Sequence, residues 1–169
     1  MRLSSARLCL QVCFTSLLLA ACGFQLRGTA DVPFETIYVP SSGGGIGLEL
    51  RRNIQAGTKA KVVDDAKQAE AVLEFTQEAR EKEILSLTGT GRVREFQLRY
   101  RVGFRVHDGK GREFLPANTV VLVRDISFND TDVLAKEAEE QLLYRDMQSD
   151  MVQQILRRLA AAKPAAEPK

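Results

Sequence analysis

The sequence predicts an α+β fold: a four-stranded mixed sheet with two helices packed on one face. Apolar residues occupy every second position from 96 to 106, a pattern typical of a strand with one buried side. A later segment, 133–161, carries apolar residues at helical spacing. The predicted order is strand, helix, three strands, helix, which places both helices on the same face of a single sheet. Because a helix joins the first strand to the next, the first strand is expected to pair in parallel with a neighbour.

The chain begins with a segment typical of a secretory signal peptide. Arg2 and Arg7 precede an uncharged run at 8–20, which is too short to span a bilayer because a spanning helix needs about 20 residues. We therefore expect residues 1–21 to be removed. Residues 22–33 would then form a tether, 34–161 a single α+β domain, and 162–169 a disordered tail.

Residues 19–23, Leu-Ala-Ala-Cys-Gly, resemble the lipobox of bacterial lipoproteins, in which the cysteine becomes the acylated N-terminus. Cys22 is the predicted lipid attachment site, and two or three acyl chains would anchor the protein stably in a membrane. In the lipoprotein pattern an Asp at the next position retains the protein at the inner membrane, and here that position is Gly23. The expected location is therefore the periplasmic side of the outer membrane. The alternative is an ordinary secretory signal that ends by chance in a cysteine.

Processing at Cys22 would leave a formally neutral protein. The chain has 24 Lys and Arg and 22 Asp and Glu, and the signal segment takes away only Arg2 and Arg7. Cys9 and Cys13 leave with the signal and Cys22 is acylated, so no cysteine remains for a disulfide or a nucleophile. A neutral, lipid-anchored domain argues against a nucleic-acid partner.

The first half of the domain is predicted from short patterns. Residues 34–39 read as a strand ended by Pro40, and 46–56 read as a helix with Leu50 and Ile54 one turn apart and Gly57 as its C-terminal cap. Residues 71–87 are interpreted as one long strand with a bulge or twist, because acidic positions interrupt its apolar face. The apolar residues of that face are Leu73, Phe75, Ala79, Leu85 and Leu87, and the interruptions are Glu81 and Glu83.

The second half contains the clearest signals. A turn at 88–91 leads to a strand at 96–107, and Asp108-Gly109 predicts a tight turn before a returning strand at 120–128. Residues 129–132 offer several N-cap side chains for a helix that ends at about 161. The predicted buried stripe of this helix, in which the two Met residues belong to the core, is Leu134, Ala138, Leu142, Tyr144, Met147, Met151, Ile155 and Leu159.

The residue types needed for catalysis or for holding a metal do not occur in suitable combinations. The glycine-rich turn at 43–45 lacks the Lys-Ser or Lys-Thr of a phosphate-binding loop. His107 is the single histidine of the chain, which excludes a histidine-based triad and a multi-histidine metal site. Asp64-Asp65 and the glutamates of 74–83 are interleaved with basic residues, as on a solvated strand. We expect no enzymatic activity and no cofactor.

Positive charge is concentrated in the middle of the chain. Between 92 and 112 there are seven basic residues and two acidic ones. The five basic residues up to position 105 are all arginines, whose planar fork suits phosphate oxygens. Two interpretations stay open, an ordinary wet strand face and a binding surface for an anionic lipid. The basic residues are Arg92, Arg94, Arg99, Arg101, Arg105, Lys110 and Arg112.

Three features together resemble the lipopolysaccharide (LPS)-assembly lipoprotein family LptE. They are Ala-Ala-Cys-Gly-Phe-Gln-Leu-Arg-Gly at 20–28, Gly-x-x-x-Glu-Phe-Gln-Leu at 91–98, and Leu-Ala-Lys at 134–136. The resemblance implies a small sheet with two helices that plugs the lumen of the outer-membrane barrel LptD in a one-to-one complex. Such a protein assists assembly of the barrel and delivery of LPS to the outer leaflet.

The family's LPS-contacting positions are basic residues near the central turn and at the start of the last helix. Lys136 matches the second position. At the first, Thr88-Gly89-Thr90 stands where an arginine is expected, and Arg92 and Arg94 follow slightly later. The implied LPS-binding residues are Arg92, Arg94 and Lys136, aided by Arg99 and Arg101. The alternative is a lipid-anchored periplasmic adaptor of another envelope-assembly machine, without LPS contact.

Overall fold

The computed structural model describes residues 31–41 and 45–162. Cys22, the signal segment, nearly all of the predicted tether and all but the first residue of the predicted tail lie outside this range. The described part contains five strands, two helices and a short 3₁₀ turn, Ala66–Gln68, which lies between β2 and β3. In chain order the strands and helices are β1 (Thr36–Tyr38), α1 (Ile46–Gly57), β2 (Lys61–Val63), β3 (Ala71–Leu87), β4 (Val93–His107), β5 (Glu113–Ser127) and α2 (Val133–Ala160).

The sheet has five strands in the order β2-β1-β3-β4-β5, so the predicted count of four was wrong although the α+β class and the mixed sheet are confirmed. β1 pairs in parallel with both β2 and β3, as its connection through a helix led us to expect. β3, β4 and β5 form an antiparallel meander. The missed strand β2 is only three residues long, too short to show alternation in the sequence.

β5 begins at Glu113, seven residues before the predicted start. Pro116 lies within it and lowered its strand propensity in the sequence. A proline is tolerated there because β5 is an edge strand, where a missing amide donor leaves no neighbour unpaired.

A β-bulge at Thr76 changes which residues of β3 face the helices. The pairing with β4 steps from Phe75 opposite Phe104 to Gln77 opposite Gly103, so Thr76 is the extra residue. Gly103 fits this bulge because a Cβ there would lie 2.6 Å from the Thr76 hydroxyl oxygen. Between Glu78 and Ile84, the even-numbered residues of β3 share a side with the buried residues of β4, and the register shifts again at Ser86.

The predicted parity of β3 therefore fails after Phe75. Ala79 lies opposite Arg101 on the open side of the sheet, whereas Arg80 and Lys82 lie opposite Tyr100 and Leu98 on the helix side. A bulge was expected from the interrupted pattern, but the sequence did not fix its position.

Both helices pack against one side of the sheet and share a single core. α1 contributes Ile46, Leu50 and Ile54, and its end is capped by Thr58, whose hydroxyl donates to the Ile54 carbonyl at 2.9 Å. The predicted cap, Gly57, is instead the last helical residue. The fully buried residues of β4 and α2 are Leu98, Tyr100, Val102, Phe104, Val106, Met147, Met151, Val152 and Ile155. Burial of each such side chain contributes about 1.5 to 3 kcal/mol.

The first half of α2 does not belong to this core. Leu134 is 82% exposed and Leu142 is 52% exposed, so the predicted stripe is wrong at its start. At about 100° per residue, Leu142 lies about 140° around the helix from Met147. The residues at 134, 138 and 142 therefore form a separate outward row. The prediction that Met147 and Met151 are core residues is confirmed, since both are fully buried.

The domain is elongated and has two different ends. The distal end comprises the β3–β4 turn at 88–92, the loop at 128–132 and the start of α2. The proximal end comprises residues 31–35, the β4–β5 turn at 108–112 and the end of α2, where Arg158 contacts Asn118. β3 alone has 17 residues and at about 3.3 Å per residue extends over about 55 Å. The chain enters and leaves the domain at the proximal end.

Candidate functional site

The distal end brings together Arg92, Arg94 and the start of α2. The β3–β4 turn is closed by the Thr88 amide, which donates to the Arg92 carbonyl at 2.7 Å, and Gly91 takes a positive φ of 79°. The loop before α2 lies against this turn. The Phe128 amide donates to the Arg94 carbonyl at 2.8 Å, and the Arg92 guanidinium lies 3.8 Å from the Asp130 carboxylate.

The guanidinium groups of Arg92 and Arg94 are open to solvent. Their side chains are 74% and 63% exposed. Arg94 contacts Glu95 at 3.3 Å. Exposed pairs of this kind contribute only about 0 to 1 kcal/mol, so either arginine can exchange its partner for an incoming anion.

Lys136 is held more firmly than the two arginines. Its side chain is 21% exposed, and its Nζ donates to the Ser127 hydroxyl at 3.0 Å and to the Glu139 carboxylate at 2.9 Å. The ammonium group thus bridges the end of β5 and the first turns of α2. A phosphate that binds Lys136 would compete with Glu139.

Arg99 and Arg101 lie outside the distal cluster, on the open face of β4. Arg99 Nη1 contacts Glu81 at 3.5 Å and Glu83 at 3.3 Å, and Arg101 Nη2 contacts Glu81 at 3.6 Å. The positive surplus that is counted along the chain from 92 to 112 is thus partly offset by acids from β3. Because these acids come from a strand about 20 residues earlier, a count along the sequence could not include them.

At the distal end, the ionised form of the Glu95 carboxylate is stabilised by two neighbouring side chains. The Ser86 hydroxyl donates to Glu95, and together with the Arg94 guanidinium this hydrogen bond holds the pKa of Glu95 below its usual value of 4.5. Glu95 is therefore ionised at neutral pH and positions Arg94. The exposed cations of the cluster suit charge-assisted hydrogen bonds to an anion.

One feature of the distal end was missed by the sequence analysis. A cleft of about 200 Å³ opens between the first turns of α2 and the sheet. We call it the distal cleft. Lys82 lies in its rim, with Nζ 4.3 Å above the Phe96 ring and 2.5 Å from the Glu140 carboxylate. The bulge at Thr76 puts Lys82 on the helix side of the sheet. The alternation of apolar residues in the sequence does not show where this bulge lies. The lining residues are Lys82, Phe96, Ile126, Phe128, Val133, Lys136, Glu137 and Glu140.

Neither a membrane-spanning helix nor a metal-binding cluster occurs in the part of the chain that the structure describes. Within 31–41 and 45–162, no helix is sufficiently long and apolar to cross a membrane. The same residues contain no group of three or more His, Cys, Asp or Glu side chains arranged to hold a metal ion.

A family model described as lipopolysaccharide-assembly, LptE, matches residues 34–159. The chain belongs to the LptE family. An LptE-family relative, the LPS-assembly lipoprotein LptE of Yersinia pestis (strain Pestoides F), is 31% identical over 154 residues, which cover 88% of this chain and 73% of the relative. The resemblance stated from the residues at 20–28, 91–98 and 134–136 is thereby confirmed.

Solved structures show the same LptE-family architecture. A solution structure of an uncharacterized lipoprotein B from Nitrosomonas europaea matches with a TM-score of 0.71 and 46% identity, over 82% of this chain and 91% of that one. The crystal structure of rare lipoprotein B from Shewanella oneidensis matches with a TM-score of 0.64 and 28% identity, over 75% and 94% of the two chains. The sheet with two helices described above is thus shared by these lipoproteins.

Proposed function

We propose that this protein is an outer-membrane lipoprotein that plugs and helps assemble the LPS-translocation barrel LptD and assists delivery of LPS to the outer leaflet. The observation that carries the proposal is the LptE-family match, which spans nearly the whole described domain. In this proposal Cys22 carries the acyl chains, the protein faces the periplasm, and it acts by binding rather than by catalysis.

The distal cluster supports the LPS-binding part of the proposal. Lipid A carries phosphates, and hydrogen bonds between a guanidinium and a phosphate are about twice as strong as neutral ones. Arg92, Arg94 and Lys136 present three cations at one end of the domain, two of them well exposed. Arg99 and Arg101 would assist only after release from Glu81 and Glu83.

The barrel-plug part predicts a stable one-to-one complex with an outer-membrane β-barrel. The open side of the sheet is crossed by ion pairs between β3 and β4, such as Arg105 with Glu74 at 2.6 Å, and a charged face of this kind suits a wet lumen. Affinity purification of the full chain in mild detergent should retain the barrel in equal amount. Migration of the protein alone would contradict the plug.

The LPS part predicts that R92E, R94E and K136E combined reduce LPS retention at least about tenfold, because each exposed pair is weak and several must act together. Any one of the three changes alone should have a small effect. LPS retained by the purified full chain is the measurement, at two salt concentrations and with circular dichroism to confirm folding. A folded triple variant that retains LPS undiminished would show that the cluster is only a solvated surface.

One observation favours the alternative, a periplasmic adaptor without LPS contact. The structure gives Lys136, Arg99 and Arg101 carboxylate partners within the domain, so these cations are partly neutralised already. Retention of an envelope-assembly protein other than LptD, together with no LPS retention by the wild-type chain, would support this second function.

A further inference from the structure

The distal cleft is lined by four apolar and four charged side chains. Ile126, 4% exposed, and the half-buried Phe96 and Phe128 form its base, and Phe96 packs edge-on against Phe128 with ring centroids 5.2 Å apart. Val133, 40% exposed, lines it from the first turn of α2. Apolar side chains that stay accessible at one end of a domain are typical of a ligand or partner site.

The cations around the distal cleft favour an anionic amphiphile as its occupant. Lys136 lines the cleft itself. Arg94 does not line the cleft: it is the extra β4 residue where the pairing steps from Ser86 opposite Glu95 to Leu87 opposite Val93, and its guanidinium contacts Glu95 at 3.3 Å at the same distal end. Glu137 and Glu140 line the cleft from α2, as Lys136 does, and Glu140 is paired with Lys82. A phosphate would therefore bind at Lys136 in place of Glu139, with the apolar side chains of the lining beside it.

The size of the distal cleft limits what it can hold. At about 200 Å³ it is larger than an apolar cavity of about 150 Å³ that binds benzene. It is smaller than the roughly 300 to 1,000 Å³ of sites that enclose a drug-sized ligand. The volume suits a segment of one acyl chain and not a complete lipid.

We propose that the distal cleft receives a segment of one acyl chain of the same lipopolysaccharide molecule whose phosphates pair with Arg92, Arg94 and Lys136. This inference rests on the proposed function, which supplies the lipid, and adds to it a second, apolar point of recognition. The ion pair between Lys82 and Glu140, with a distance of 2.5 Å, belongs to the lining of the cleft and opens to admit the chain. Glu139 releases Lys136 in the same step.

A photo-crosslinking experiment with the full chain in cells tests the occupant directly. A benzophenone amino acid replaces Val133, which lines the cleft, or as a matched control Leu134, the next residue, which is 82% exposed and points outward. We expect an LPS adduct from position 133, attached through an acyl chain, and at most a trace from 134. An adduct of position 133 with a protein would overturn the proposal in favour of a polypeptide occupant, and so would equal LPS adducts from both positions.

A binding experiment separates this inference from the proposed function. Val133→Trp fills the cleft and keeps every cation, and Leu134→Trp adds the same side chain outside it. For the purified full chain we expect V133W to weaken binding of intact LPS at least about tenfold and to leave binding of fully deacylated LPS within about twofold. L134W should bind both as the wild type does.

The outcomes are distinct for the two proposals. If folded V133W binds intact LPS as tightly as the wild type does, the acyl-chain site is refuted while the proposed function stands. If the triple charge variant from the preceding section retains both intact and deacylated LPS, the proposed function fails and the acyl-chain site fails with it. Circular dichroism and retention of the barrel partner show whether each variant is folded.

Discussion

At the scale of single residues, glycine matters where two backbones touch. Gly47 lies in the first turn of α1, and a Cβ at this position would lie 2.1 Å from the Pro40 carbonyl oxygen at the end of β1. Any side chain here forces the helix away from the sheet. The contact explains why a glycine stands inside a helix, where it lowers intrinsic stability by about 0.5 to 1 kcal/mol.

We predict that Gly47→Ala lowers the free energy of unfolding by about 1 to 3 kcal/mol, the usual range for overpacking. Gly57→Ala is the matched control, since it lies in the same helix and a Cβ there meets nothing within 4 Å. It should be neutral or stabilising by up to about 1 kcal/mol. Urea unfolding of both variants is the measurement, and equal midpoints would contradict the proposed contact.

A second residue-scale prediction concerns Asp108 in the β4–β5 turn. The Lys110 amide donates to its carboxylate at 2.7 Å and the Arg112 amide donates at 3.0 Å, and these bonds, with the Arg112 charge, hold the pKa of Asp108 below its usual value of 3.8. A lowered folded-state pKa stabilises the protein above the unfolded-state value, and that stabilisation is lost as the pH falls through the folded-state value.

Thermal melting between pH 6 and pH 2.5 should therefore show a smaller loss of melting temperature for Asp108→Asn than for the wild type. Asp64→Asn provides a control at an exposed carboxylate with an Arg51 partner outside the turn. Parallel melting curves for D108N and the wild type over this range would refute the assignment.

Local features of the sequence locate side chains, and tertiary pairing does not follow from them. Arg92, Arg94 and Lys136 were named from the family resemblance, and the structure places them at one turn and one helix start, while their role in LPS binding stays a prediction. The pairing of Arg99 with Glu81 depends on the register of two strands, and Lys82 reaches the distal cleft only through the bulge. Neither fact is expressed in any local pattern.

At the scale of elements, α2 consists of two halves held by different forces. Its second half buries Met147, Met151 and Ile155 against the sheet. Its first half is attached mainly by polar contacts: the Tyr144 hydroxyl donates to the Glu81 carbonyl at 2.8 Å, and Glu140 pairs with Lys82. Segments with few buried apolar contacts open at lower free energy than core segments.

We predict that amide hydrogens of residues 137–143 exchange at least about tenfold faster than those of 151–159. Lys82→Ala should accelerate the first group further and leave the second unchanged, because Lys82 contacts α2 through Glu140 in the first half and its other contact, to Phe96, lies on β4. Hydrogen exchange followed by mass spectrometry resolves the two halves. Uniform protection along the helix would show that the first half is held as firmly as the second.

The long elements were predictable and the short ones were not. β3 and α2 were located closely, because their apolar periodicity repeats many times and averages out local exceptions. β2 contains three residues and is held by its parallel pairing with β1, so it exists through tertiary contact alone. At the start of α2 the prediction of burial was wrong, because Leu134 and Leu142 continue the apolar period of the helix but are exposed.

At the scale of the whole molecule, the packed core and the candidate binding groups lie at different positions along the long axis of the domain. The packed core of α1, α2 and the sheet gives a stiff body, and the candidate binding groups lie at the end away from residues 31 and 162, where the described domain begins and ends. The α+β class followed from the order of elements in the sequence. The arrangement of the ends needed the strand register, which sets where Ile37 meets Ala71 at the start of β3.

The length of chain between Cys22 and the domain limits how far the distal end can lie from the proposed lipid anchor. Nine residue steps join Cys22 to Asp31, and at no more than about 3.6 Å each they reach about 30 Å. Together with a body about 55 Å long, this reach would keep the distal groups within about 85 Å of the acylated residue. A molecule confined to such a volume has an effective concentration in the millimolar range toward a partner that lies within it. Acylation at Cys22 would therefore act on the rate of encounter, since it replaces a three-dimensional search by a two-dimensional one along the membrane.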